Sequence, residues 1–262
     1  MPADQPMPAD QPMPADQPMS PRTRLAAALR EMNEVAVAAR ADDAVLLRAA
    51  ETVENLVAGV GPALREGRLA RPQPDLSRGA HQLFPTSPVI GEMNPLSPPV
   101  VIETVLVGDG EVLPGSGVLP LGEDAVPGGG ALSEIRGRAN FGFRYEGPPT
   151  CVHGGVIAET FDEVMGMANL AAARGGMTGT LTVRYRRPTP LLTDLVVVAR
   201  CLGQEGRKIR AWAALYHGEV LTAEAEAVFI EFPQAMFAAV AEANHNGAGR
   251  GGEGGTDRES AS

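Results

Sequence analysis

The chain has little cysteine: Cys151 and Cys201 are the only two among its 262 residues. Two thiols so far apart provide neither a disulfide framework nor metal-ligand spacing, and they suit a reducing compartment. No stretch approaches the roughly 18 consecutive apolar residues of a membrane span. The N-terminal segment also lacks the apolar centre of a signal peptide, so the expectation is a cytoplasmic chain with no membrane partner. Net positive charge is missing as well. At a formal charge of −10, no long basic stripe is available to neutralise phosphates. That argues against a nucleic-acid partner and leaves room only for a local anion site.

Neither end of the chain can supply a core. Residues 1–19 are three copies of Met-Pro-Ala-Asp-Gln-Pro followed by Met19. Proline recurs there too often for a helix or an interior strand. Residues 244–262 are rich in glycine, serine and charge, with no aromatic or β-branched aliphatic side chain. Such segments bury too little apolar surface to offset the entropy of ordering. Disordered tails are expected over 1–21 and 244–262.

The interior divides into three parts. Residues 22–70 predict a helical extension, with Leu25, Leu29, Met32 and Val35, then Val45, Leu46, Ala49, Val53 and Leu56, at spacings near three or four. A turn at Ala41-Asp42 separates two helices. Residues 71–99 are proline-rich and aperiodic, which predicts a loop over the surface. Residues 100–243 predict a domain. Strands are expected over 100–107, 111–119 and 135–145, the first two joined by a turn at Gly108-Asp109-Gly110, with a glycine-rich break over 122–130. A helix follows over about 155–173, where Ile157, Phe161, Val164, Met165, Ala168 and Ala172 form one apolar stripe and Gly175-Gly176 ends it. Four more strands are expected over 177–186, 195–202, 208–216 and 220–231, the first with Leu181, Val183 and Tyr185 alternating with polar residues. One long helix against a run of antiparallel strands is an α+β arrangement.

Three features carry chemistry. Residues 147–155, Gly-Pro-Pro-Thr-Cys-Val-His-Gly-Gly, lead directly into the helix. Glycines at a helix start expose N–H groups without intrahelical acceptors, and with the helix dipole these suit an oxyanion. A plain glycine turn with a satisfied His153 is the alternative. Asp162 lies roughly 120° from the centre of the apolar stripe, on a flank shared with Gly166 and Asn169 that is small and polar. Glu159 and Glu163 point further out, as solvated charges. Gly155 and Asp162 are roughly 10 Å apart along the axis, too far for one carbonyl to touch both, so a shared site would need two subunits. Finally, Arg184, Arg186, Arg187, Arg200, Arg207, Lys208 and Arg210 cluster on an otherwise acidic chain. They form either a phosphate-holding patch or a strand edge protected from aggregation.

The run from His153-Gly154-Gly155 to Asp162 resembles the His-Gly-Gly…Asp signature of PaaI-type hotdog-fold thioesterases. The likeness continues through Met177-Thr178, Arg187-Pro188-Thr189-Pro190 and Glu205-Gly206-Arg207-Lys208 to Phe229. The resemblance implies an antiparallel sheet wrapped around a central helix, in homodimers or dimers of dimers with a continuous sheet. It implies acyl-CoA hydrolysis with Asp162 as base or nucleophile and Thr178 orienting water or the carboxylate. His153 with the N–H of Gly154 or Gly155 would hold the carbonyl oxygen. Arg186, Arg187 and Lys208 would meet the CoA phosphates. No cofactor or metal is expected, because the thioester is already activated. A Cys151–His153 nucleophile pair is a rival without a third residue to orient the histidine. An acyl-CoA-binding module without activity, and a hydratase on the same fold, are the competing functions.

Overall fold

The computed structural model describes residues 19–66, 84–98, 100–107, 111–112 and 133–232. Residues 1–18 of the expected N-terminal tail, the C-terminal tail, the turn at 108–110, the glycine-rich break and most of the strand expected over 111–119 lie outside the described residues, whereas Ser20 and Pro21, expected in the tail, already cap and open the first helix.

Two helices come first, α1 (Pro21–Ala38) and α2 (Asp43–Glu66). Ser20 caps α1, its hydroxyl accepting from the Thr23 N–H at 3.1 Å, and Pro21 occupies the first turn, where a missing N–H costs nothing. Ala26 is the buried anchor of α1. Arg30 Nη1 donates to the carbonyls of Glu92 and Asn94 at 3.1 and 2.8 Å, and the Glu34 carboxylate accepts from the Phe143 N–H at 2.6 Å. These bonds tie α1 to the domain. On α2, by contrast, Leu46, Val53, Leu56 and Val60 are exposed.

The domain is one antiparallel sheet and one helix. The strands are β1 (Val100–Val107), β2 (Glu111–Val112), β3 (Ser133–Ala139), β4 (Gly176–Tyr185), β5 (Leu195–Glu205), β6 (Lys208–His217) and β7 (Val220–Glu231), in the order β2-β1-β3-β5-β6-β7-β4. The hairpins β5–β6 and β6–β7 turn through two residues. The first of each pair, Gly206 and Gly218, has φ of +57°, which a glycine adopts without strain. The strand expected over 135–145 stops at Ala139. Its neighbours run out there, since Ala139 pairs with both Val100 and Leu195, the first residues of β1 and β5. The chain then leaves the sheet, and Phe143–Tyr145 is a 3-10 turn.

Helix α3 (Gly154–Ala171) lies across the sheet. Ile157, Phe161, Val164, Met165 and Ala168 face strands whose inner surface is dominated by Ala211, Ala213, Ala223, Ala225 and Ala227. Small side chains there let the helix sit low against the strands. Val89 and Ile90, from the proline-rich segment, close the same core. This is the hotdog arrangement, α+β, as the motifs imply.

Phe161 is fully buried at the centre of α3. Phe161→Ala is expected to cost about 3–5 kcal/mol of stability. Urea unfolding followed by circular dichroism measures it, and a loss well under 1 kcal/mol would mean that α3 is not the core of the domain.

Candidate active site

The chain enters α3 through a tight, heavily bonded loop. The Gly147 N–H donates to the Cys151 carbonyl at 2.9 Å, the Cys151 N–H to Pro148 at 2.9 Å, and the His153 N–H to Tyr145 at 2.8 Å. Thr150 holds a φ of +65°, costly for a β-branched residue, and its N–H donates to the Glu146 carboxylate at 2.7 Å. A Cβ on Gly147 would stand 2.8 Å from the His153 Cα, so glycine is required there. The loop delivers His153 as the cap of α3, its Nδ1 accepting from the Gly155 N–H at 3.0 Å.

That bond separates two glycines which the sequence leaves equivalent. The Gly155 N–H is engaged. The Gly154 N–H has no acceptor among the described residues and sits at the positive end of the helix. With Nδ1 accepting, a neutral His153 carries its proton on Nε2, on an exposed ring. Gly154 lines an open cleft together with Pro148, Cys151, Tyr185, Arg187 and Thr189. No hydrogen bond joins Cys151 to His153 among the described residues.

Asp162 is two turns further along α3, half-buried, and its Oδ1 accepts from the Thr178 hydroxyl at 2.5 Å. Thr178 lies at a register shift in β4, between Thr178 and Thr180. One end of β4 therefore holds the Asp162 carboxylate through the Thr178 hydroxyl. The other end, at Tyr185, meets the helix start, where the Tyr185 hydroxyl donates to the Gly154 carbonyl at 2.8 Å.

A sequence model of the thioesterase superfamily matches residues 150–218. Over those residues the domain is similar to that superfamily. The crystal structure of a thioesterase superfamily protein is 28% identical, with a TM-score of 0.62 over 82% of this chain and 97% of that one. Acyl-coenzyme A thioesterase THEM4 of Xenopus laevis is 35% identical over 88 residues, 33% of this chain and 40% of that protein. THEM4 of Mus musculus is 34% identical over 92 residues, 34% of this chain and again 40% of that protein. The chain thus spans about 40% of the length of the curated relatives it matches.

Along α3, two sequence expectations change. Glu163 is not a solvated charge. The loop at 84–98 folds over it, and the Ser87 hydroxyl donates to its carboxylate at 3.0 Å. Burial raises its pKa, the Ser87 bond opposes this, and Asp162 and Glu159 add to the rise. Asn169 does not line an open polar flank. It is 1% exposed, and neither polar atom of its side chain has a partner among the described residues. Tyr185 keeps the helix-facing side that its alternation with Leu181 and Val183 implies, and it is 55% exposed because β4 is an edge strand.

The basic cluster is divided. Arg184 pairs with Glu226 at 3.0 Å, Arg186 donates through Nε to Glu224 at 2.9 Å, and Arg200 through Nε to Glu134 at 2.5 Å. Arg187 and Lys208 have no side-chain partner among the described residues. They are far apart in one chain: Arg187 docks its N–H on Thr222, whereas Lys208 pairs with Ile230. Those positions of β7 are roughly 25 Å apart at strand rise. Among the described residues no helix is long and apolar enough to cross a membrane, and no cluster of His, Cys, Asp and Glu could hold a metal ion.

Ser87 and Tyr185 escape sequence reasoning. Their partners, Glu163 and Gly154, are remote in the chain, and no local pattern signals either bond.

The Glu163 setting has a pH signature. Its folded pKa lies above the ordinary 4.5, so the native state binds more protons between the two values. The stability it contributes is complete below about pH 4.5 and is lost as pH rises through the folded value. Glu163→Gln, which cannot ionise, should therefore gain stability relative to the native protein as pH rises through that window. Urea unfolding across an acid-to-neutral series measures this, and a pH-independent difference would count against the buried setting.

Proposed function

We propose that the protein hydrolyses acyl-CoA thioesters to the free acid and CoA, in sites shared by two subunits. The observation that carries this reading is the division of the chemistry between the two ends of β4. Asp162 with Thr178 stands at one end, and the unengaged Gly154 N–H with His153 at the other. Within one chain Gly154 and Asp162 are about 12 Å apart along α3, too far for one carbonyl. Thr178 pairs with Phe229 and Tyr185 with Ala223, so across the register shift each stands three ladder positions from Thr182, which pairs with Glu226. Antiparallel pairing of two β4 edges about that midpoint brings Thr178 of each subunit opposite Tyr185 of its partner. Asp162 then faces the helix start across the interface.

The chemistry follows from these positions. The thioester carbonyl oxygen accepts from the Gly154 N–H and the His153 Nε2–H, which stabilise the charge that develops there. Asp162, oriented by Thr178, takes a proton from water as the water oxygen attacks the carbonyl carbon. As the C–S bond breaks, that proton passes to the CoA thiolate, and the carboxylate is restored. The same pairing draws Arg187 toward Lys208 of the partner subunit, which offers two unpaired cations for the CoA phosphates. Arg186 joins them only by leaving Glu224. The 35% identity to THEM4 proteins over 88 residues supports the substrate class.

Purified protein should release thiol from at least one of acetyl-, hexanoyl-, palmitoyl-, benzoyl- and phenylacetyl-CoA, followed with a thiol reagent. Asp162→Asn should lower kcat by at least about 10²-fold, with the dimer intact by light scattering. Saturable binding of these thioesters without thiol release would favour an acyl-CoA-binding module instead. Mixing Asp162→Asn subunits with Gly154→Ala subunits should restore activity, because each mixed dimer keeps one native site. No recovery in verified mixed dimers would rule out shared sites.

A further inference from the structure

One side chain at the start of α3 has no part in the chemistry above: Tyr185, the last residue of β4. Its hydroxyl donates to the Gly154 carbonyl oxygen at 2.8 Å. A Cβ on Gly154 would stand 3.1 Å from the tyrosine oxygen and 3.2 Å from its Cζ, so the ring occupies the space beside the glycine. The Gly154 carbonyl belongs to the same peptide unit as the Gly155 N–H, and that N–H donates to His153 Nδ1 at 3.0 Å. This peptide is held at both ends. The preceding peptide is held only at its carbonyl, where His153 accepts from the N–H groups of Val156 and Ile157 at 3.0 and 3.3 Å. Its N–H, on Gly154, is the unengaged one.

Two consecutive glycines carry little intrinsic restraint on φ and ψ. Rotation of the peptide between them would release the Gly155 N–H from His153 and turn a carbonyl oxygen toward the cleft, where it would repel an oxyanion. A phenol anchored on that carbonyl opposes the rotation. Hydrogen bonds in series also polarise one another, so the same contact strengthens the Gly155 N–H as a donor to the imidazole.

We propose that Tyr185 is a positioning residue: by holding the Gly154–Gly155 peptide it keeps the Gly155 N–H on His153 Nδ1. This leaves the Gly154 N–H and His153 Nε2–H for the substrate oxygen. Its catalytic consequence rests on the thioesterase reading, whereas its effect on the histidine does not.

The test is Tyr185→Phe in the full chain, which removes the hydroxyl and leaves the ring beside Gly154. Two measurements separate the layers. The first is steady-state kinetics on the member of the acyl-CoA panel that the native protein hydrolyses fastest. The expectation is a fall in kcat of about tenfold, less than the loss of a direct oxyanion donor, with KM and the thermal midpoint unchanged. The second is the imidazole nitrogen spectrum without ligand, with the His153 signals identified by comparison with His153→Gln. The native ring should be the Nε2–H tautomer, and Tyr185→Phe should show a mixture of tautomers. An unchanged tautomer would overturn the proposal whatever the rate does, and a native kcat would overturn it equally. If the native protein hydrolyses no acyl-CoA, the thioesterase reading fails while the spectrum still decides whether Tyr185 holds the histidine.

Discussion

The fit of α3 against an alanine-lined sheet sets everything else in the domain. Phe161, Val164 and Met165 take the depth that Ala211, Ala213, Ala223, Ala225 and Ala227 leave open. Larger residues on β6 and β7 would lift the helix away from the strands, since a packed interior cannot absorb added volume without displacement. Raising α3 would part Asp162 from Thr178 and Gly154 from Tyr185 together, because both bonds cross from the helix to β4. The core thus acts as the spacer that brings two separate polar contacts into range.

Strand β4 has the least support of any long strand. It pairs with β7 alone and is exposed over most of its length. An unpaired edge invites association, and side-chain charge is the usual defence. Here Arg184 carries charge at the edge, but its pairing with Glu226 partly neutralises it. On the proposed reading the chemistry-bearing residues also sit at the two ends of this strand rather than together, so pairing two such edges would close the edge and complete the site at once.

Much of this is legible in the sequence, and the limits have physical causes. The stripe of α3, its glycine stop and the alternation of β5 to β7 are local patterns, and they place the elements within a residue or so at most ends. The strand expected through Tyr145 overruns because its end is decided by partners: neither β1 nor β5 continues past Ala139. Glu163 lies toward the solvent side of a helical wheel, yet a loop from far upstream covers it, which periodicity cannot register. The glycine pair is legible as donors, but not which donor remains. That depends on the His153 ring turning back onto Gly155. Tyr185 fits an alternating pattern with Leu181 and Val183, whereas its exposure on an edge strand is a matter of sheet order.

The N-terminal segment has a role in this set of contacts. Arg30 and Glu34 of α1 tie down the loop at 84–98 and the turn at Phe143, and that loop in turn half-covers Glu163, the neighbour of Asp162. On the proposed reading the appendage works on the outer side of α3 while the partner subunit works on the other. The carboxylate next to Asp162, that of Glu163, is half-covered by the chain itself, and Asp162 is left half-open for the partner to complete. Activity would then depend on subunit concentration through mass action, because a lone chain holds the base and the oxyanion donors without being able to present both to one carbonyl.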